Sequence, residues 1–131
     1  MKGLQMIGSY LNEWNIVTIT VRLILAVVCG GAIGLTRSVK RRGAGFKTHA
    51  LVCLGSALVM MTGQYIYVDF GAISDIARLA AQVISGVGFL GVGTIMVTRD
   101  NHVKGLTTAA GLWTCAGIGL SIGIGFYSGA A

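Results

Sequence analysis

The sequence contains no proline and only four acidic residues in 131. Charged residues of both signs make up 11% of it, against about 25% in an ordinary soluble domain. That is too little charge to cover a surface facing water. With two histidines and four acids, acid–base catalysis has few groups to draw on. No carboxylate pair, H-E-x-x-H motif, phosphate-loop lysine or nucleophile–base arrangement is present, so an enzyme is not expected. Cys29, Cys53 and Cys115 are odd in number and stand singly inside apolar runs. Their spacing fits neither a disulfide framework nor a metal site. They read as small buried thiols, and no metal or cofactor is expected.

What the chain does have is apolar residues, 54% of the total, and 21 glycines, with a mean hydropathy of +0.79. Glycine in quantity is unusual for a soluble helical protein but lets helices approach closely in a bilayer. Four apolar runs cover about 15–35, 50–68, 76–97 and 106–129. A hydrocarbon core of about 30 Å needs roughly 20 helical residues, so each run is long enough to span. The runs are too long and too uniform for strands of a membrane barrel. Ahead of them, Leu4, Ile7, Leu11 and Trp14 form one apolar stripe on a segment too polar to span, which predicts a short interfacial helix. The expected fold is therefore all-α: a polytopic membrane helix bundle in the lipid bilayer, four transmembrane helices plus the short N-terminal interfacial helix, forming a single domain over 1–131.

The formal net charge is +6, but the cations occupy short gaps between apolar runs rather than a polar face, so no nucleic-acid partner is expected. The first gap holds Arg37, Lys40, Arg41, Arg42 and Lys47, and the third holds Arg99 and Lys104. Lys2 and Arg78 fall on the opposite side. The positive-inside rule then puts the basic loop 36–49 in the cytoplasm and both termini outward. The run Arg37–Arg42 also suits anionic lipid headgroups.

Two polar groups stand out. Arg22 lies within the first run on one i+4 line with Ala26, Gly30 and Gly34. A charge at that depth snorkels or finds a partner, and Asp75 or Asp69 is the sharper expectation. Asp75, Arg78, Gln82 and Ser85 share one face at the start of the third run. With Arg22 they make a candidate outer polar pocket. At the inner side, Arg37, Lys47, Thr48, His49, Thr107 and Thr108 form a second candidate cluster, with Thr48 as a helix cap. His49 has no second ligand at metal spacing and reads as an interface or hydrogen-bonding residue. Gly86, Gly88 and Gly91 fit G-x-G-x-x-G, but the dinucleotide motif needs a preceding strand and a later acid. Close helix packing is the better account. The same is expected of Gly30–Gly34, Gly119–Gly123 and Gly125–Gly129, whose G-x-x-x-G spacing recurs in apolar context. Gly117, Ser121, Gly125 and Gly129 make a small-residue stripe.

The stretches Arg22–Gly34, Phe46–Val52, Asp75–Gly91 and Lys104–Trp113 together resemble the membrane domain of the MgtC/SapB family of bacterial inner-membrane proteins, over roughly residues 20–127. The residues that match the family pattern are Arg37, Thr48, His49, Asp75, Arg78, Gln82, Gly86, Gly88, Gly91, Gly105, Thr107 and Thr108. The resemblance implies a multi-pass protein of the bacterial inner membrane linked to growth under magnesium limitation and to virulence, acting on the ATP synthase rather than carrying magnesium. The chain departs from the family pattern at Thr36-Arg37, where Glu-Arg is usual, and at Lys47, where Arg is usual. Lysine keeps the charge but lacks the planar fork. Family members commonly have a fifth span and many have a C-terminal soluble domain, both expected to be absent from a chain ending at Ala131.

Three functions follow as expectations. One is a regulator working through helix contacts with a membrane partner such as the ATP synthase, with a homodimer as the expected assembly. The second is a transporter or ion-handling protein with an outer pocket around Asp75. The third is a structural or truncated remnant.

Overall fold

The computed structural model describes residues 1–3, 5, 6, 14–40, 43–70 and 75–131. Four long helices carry the fold: α1 (Ile16–Val39), α2 (Phe46–Phe70), α3 (Ile76–Thr94) and α4 (Leu106–Ile124). All four are long and apolar enough to cross a membrane, and the protein is a multi-pass membrane helix bundle. A two-residue ribbon joins α3 to α4, with β1 (Met96–Val97) antiparallel to β2 (Val103–Lys104). A last turn, α5 (Tyr127–Ala130), follows α4. Most of the N-terminal stripe predicted as an interfacial helix, including Leu4, Ile7 and Leu11, lies outside the described residues.

Helix starts and stops follow local chemistry. Asn15 caps α1, its Oδ1 accepting from Thr18 N at 2.9 Å and from Thr18 Oγ1 at 3.0 Å. Asp75 caps α3 by accepting from Arg78 N at 3.3 Å. Thr48 is not a cap, because α2 begins earlier, at Phe46, whose N–H donates to Ser38 Oγ at 2.9 Å. The ends of α1 and α2 run four and two residues past the predicted boundaries, since basic and polar residues are tolerated where a helix leaves hydrocarbon. Both α3 and α4 are shorter than expected. The former gives way to the ribbon after Thr94, and the latter stops at Gly125, whose φ of 85° ends the helix. The predicted stripe through Gly125 and Gly129 is therefore not one helical face.

The second helix is central and packs against the other three long helices. Five of the six buried residues of α1 fall on one line, Thr18, Arg22, Ala26, Gly30 and Gly34, the seam expected from the sequence, and Gly31 lies beside it. At Gly30 an added Cβ would stand 2.6 Å from His49 O, and at Gly34 it would stand 2.6 Å from Phe46 Cα. Gly119 and Gly123 do the same on α4: a Cβ at Gly123 would be 2.7 Å from Ala57 O, and one at Gly119 would overlap Cys53 O. These four glycines are backbone contact points, because no side chain fits between the helices. Around them Ala26, Cys53, Ala57, Cys115 and Ile122 form one buried cluster, which accounts for two of the three cysteines. A second cluster, Ala44, Val87, Leu112 and Ala116, attaches α3.

The third helix is the least covered. Only 11% of its most apolar stretch is buried, against 39% for α4. Gly91 makes ordinary contact with Ala109, but among the described residues nothing lies within 4 Å of a Cβ placed at Gly86 or Gly88. Of the three glycines expected to serve close helix packing, Gly91 meets a helix of this chain, while Gly86 and Gly88 face away from the described ones. α3 meets the bundle along one edge, and that edge excludes the faces bearing the other two.

Candidate functional site

Arg22 is 4% exposed. Its Nη1 donates to Gly123 O at 2.7 Å and to Gln64 Oε1 at 3.1 Å, and its Nε donates to the Tyr127 hydroxyl at 3.2 Å. The guanidinium carbon also lies 5.9 Å from the centre of the Trp14 ring. These partners make sense at the end of α4. An α-helix leaves its last four carbonyls without intrahelical donors. Here Ser121 O accepts from Phe126 N at 2.8 Å and Ile122 O from Gly125 N at 3.1 Å. Gly123 O takes Arg22, and Ile124 O takes Gln64 Nε2 at 3.4 Å. All four are answered, and the cation sits where the helix dipole is negative.

That geometry corrects the expected outer pocket. Arg22 is turned into the α1–α2–α4 seam, while Asp75, Arg78, Gln82 and Ser85 are all exposed along α3. The first and third helices share no extended contact, so the fold does not bring Arg22 to that line. Nor does Arg22 snorkel to the surface. Gln64 and Tyr127, its actual partners, do not stand out in the sequence. The one signal for Gln64 is a lone amide within an apolar run.

At the opposite end of the bundle, Arg37 Nη2 donates to Thr108 Oγ1, joining α1 to the first turn of α4. Arg37 Nε is buried without a hydrogen-bond partner among the described residues. Beside it is a cavity of about 260 Å³ lined by Arg37, Gly43, Thr94, Lys104, Thr107 and Thr108, with Met96 and Gly105 completing the wall. Thr94 Oγ1 donates to Gly91 O at 2.8 Å and reaches Gly105 O at 3.4 Å, which ties the end of α3 to the start of α4. Of the expected inner cluster, Arg37, Thr107 and Thr108 thus come together. Lys47 and Thr48 instead line an apolar groove between α2 and α3. Thr94 and Gly43 also line the cavity and escape sequence reasoning: Thr94 enters where the short ribbon folds α3 back on α4, and Gly43 comes from the loop between α1 and α2, neither of which carries a periodic signal.

His49 is fully buried. Its Nδ1 lies 2.9 Å from Gly45 O; facing a carbonyl, that nitrogen is the one that carries the hydrogen. Nε2 is also buried and has no hydrogen-bond partner among the described residues. It faces Gly111, where an added Cβ would stand 3.1 Å away.

The model of the MgtC family matches residues 23–131. The chain belongs to the MgtC family. Among its relatives are the "Putative magnesium transporter YhiD" of Escherichia coli strain K12, 47% identical over 94 residues, and "Protein MgtC" of Salmonella typhimurium, 41% identical over 88. "Protein SrpB" of Synechococcus elongatus is 38% identical over 110 residues. The matches cover 69%, 67% and 77% of this chain, and 43%, 36% and 60% of the respective relatives. The chain thus spans less than half of the first two. No solved structure matches it. The family match takes in all four helices except the first turns of α1, so both the Arg37 cavity and the polar line of α3 lie within it.

Proposed function

We propose that this chain is a regulatory membrane module of the bacterial inner membrane, acting through helix contacts with another membrane complex during growth under magnesium limitation. The ATP synthase is the candidate partner, and virulence the setting in a pathogen. The observation that carries this reading is the bare flank of α3. Among the described residues, none comes within 4 Å of where a side chain at Gly86 or Gly88 would begin, and Phe89 is 83% exposed and Val92 69% exposed. Small residues beside large apolar ones on an uncovered helix suit the close approach of a second transmembrane helix. In this reading the basic loop 36–49 is cytoplasmic and both termini face outward, since seven of the ten cations lie in the first and third gaps.

Cross-linking from position 89 in native membranes tests it. A cysteine or photoreactive residue replacing Phe89 should capture a membrane-protein subunit, and Gly86→Leu should abolish the capture while leaving chain abundance unchanged. Recovery of this chain alone would sink the regulatory reading and leave a homodimer.

A second reading is a transporter, the activity for which the YhiD relative is named. One observation favours it. Asp75, Arg78, Gln82 and Ser85 form an exposed polar line on α3, and a polar row on a membrane helix usually faces protein or a wet path. Magnesium flux into proteoliposomes, lost in Asp75→Asn and Arg78→Ala, would establish it. Flux no greater than in empty liposomes would remove it.

A further inference from the structure

The polar cavity at Arg37 does not stand alone. It shares Gly43, Thr94 and Met96 with a second cavity, of about 570 Å³, whose other walls are Ala44, Thr48, Phe89, Leu90, Val92, Gly93 and Leu112. Among the described residues, the first is lined by two cations and three threonine residues and by no acid, and the second is mainly apolar, with Thr48 and Thr94 its polar side chains. We infer that together they bind one anionic phospholipid, with its phosphate in the Arg37 cavity and an acyl chain along the apolar one. This inference goes beyond the regulatory reading and does not depend on it, although the two share Phe89 and Val92, which a partner helix would meet over the bound acyl chain.

Three features of the polar cavity favour a phosphate. Arg37 lines the cavity, and its Nε, buried and unpartnered among the described residues, stays costly until a small turn of the side chain brings it to an acceptor. Lys104, held at the end of β2 by its pairing with Met96, supplies a second positive charge on the same wall. The start of α4 adds a third. Its N-cap is Gly105, which has no side chain to cap with, and the first backbone bond into the helix comes only from Ala109 N. The N–H groups of Leu106, Thr107 and Thr108 are therefore free of intrahelical acceptors, and an anion is favoured there. Arg37 is an apt ligand because its fork matches phosphate oxygens in pairs.

The adjoining apolar cavity selects lipid over free phosphate. An inorganic ion would gain nothing from Phe89, Leu90, Val92 and Leu112, whereas an acyl chain buries apolar surface against them. Position agrees. The cavities lie where α1 and α3 end and α4 begins, at the level where headgroups meet hydrocarbon in a spanning bundle.

The test is calorimetric titration of the purified full chain in a neutral detergent with short-chain phosphatidylglycerol. Parallel arms use phosphatidylcholine of the same chain length and inorganic phosphate. Phosphatidylglycerol should bind saturably, and both other arms should bind at least about tenfold more weakly. Lys104→Gln, an exposed position that leaves the helices intact, should weaken phosphatidylglycerol by about tenfold, the scale of one charge-assisted hydrogen bond. Arg37→Gln should weaken it at least as much where the variant elutes as the parent does. Arg99→Gln, an exposed cation on the loop between β1 and β2 and outside the cavity, should change nothing. Equal losses from Arg99→Gln and Lys104→Gln would reduce the effect to diffuse surface charge and overturn the site. Inorganic phosphate binding as tightly as the lipid, or phosphatidylcholine binding as tightly as phosphatidylglycerol, would overturn the assignment to an anionic lipid. Binding unchanged in Lys104→Gln would overturn the placement of the phosphate.

Discussion

Arg22 and Gly123 are 101 residues apart in the chain, yet the arginine donates to the glycine carbonyl at 2.7 Å. The bond makes a side chain of the first helix the cap of the fourth. It also explains why a charge is kept in an otherwise apolar seam: without it, a helix-end carbonyl and the Gln64 amide oxygen would both lose their donor. Arg22→Leu should therefore destabilise the bundle by about 3 kcal/mol, the range for hydrogen bonds to a charged group in a buried site. Arg22→Lys should fall between, since an ammonium cannot span Gly123, Gln64 and Tyr127 together. Denaturation of the purified variants in mild detergent measures this. A leucine variant as stable as the parent would dismiss the cap.

The glycines separate into two sets with opposite expected behaviour. At Gly119 an added methyl would overlap Cys53 O, and at Gly123 it would come within 2.7 Å of Ala57 O and 2.8 Å of Met60 Cβ. Backbone atoms cannot turn aside, so Gly119→Ala and Gly123→Ala should each cost about 3 kcal/mol, the upper end for overpacking. At Gly117, as at Gly86, nothing among the described residues lies within 4 Å of an added Cβ. Gly117→Ala should be neutral or stabilising by up to about 1 kcal/mol, the difference in helix propensity. Thermal unfolding of the set decides it, and equal effects across both sets would show that the α2–α4 approach is not the one described.

The contrast between these glycines marks how far the sequence can be read. Spacing alone finds the Gly30–Gly34 and Gly119–Gly123 seams, because a stripe on one helix implies a close neighbour. It puts Gly86 and Gly88 with them, since a motif does not say whether its neighbour belongs to the same chain. Apolar length locates all four spans, and a three-four-three spacing finds the polar line of α3. Arg22 is placed on the correct face but given the wrong partner. Its bonds to Gln64, Gly123 and Tyr127 depend on where α4 ends, and that end rests on one left-handed residue, Gly125, inside a continuous apolar run. The Arg37 cavity is half legible. Arg37, Thr107 and Thr108 stand out, while Thr94 arrives through a ribbon too short to show a period and Gly43 through the loop between α1 and α2.

Gly111 and His49 make a tight pair of a different kind. A methyl at Gly111 would stand 3.1 Å from the buried Nε2, so the ring would have to shift and strain its bond from Nδ1 to Gly45 O. Gly111→Ala should cost about 1–2 kcal/mol. His49→Asn retains a side-chain N–H close to the position of Nδ1 and removes the unpartnered nitrogen. It should restore stability to the Gly111→Ala background, as expected for coupled neighbours. A double variant whose losses simply add would show that the contact does not limit packing there.

The join between the ribbon and α4 gives the sharpest backbone test. Gly105 has φ of 96°, and a Cβ there would overlap the carbonyl oxygen of Thr94. Two separate causes therefore forbid a side chain: the left-handed backbone, and the close pass of Thr94. Asn101, at the tip of the ribbon, also has positive φ, 58°, but it is exposed and asparagine tolerates that region. Asn101→Gly should consequently change stability by less than about 0.5 kcal/mol. Gly105→Ala should cost at least about 2 kcal/mol, combining strain with overlap. Gly105→Asn discriminates between the causes, because asparagine relieves the conformational penalty but not the collision. If asparagine is as damaging as alanine, the Thr94 carbonyl sets the requirement for glycine and holds α3 against α4 at the mouth of the Arg37 cavity. If asparagine restores the parent's stability, the backbone conformation alone sets it and Thr94 is free to move.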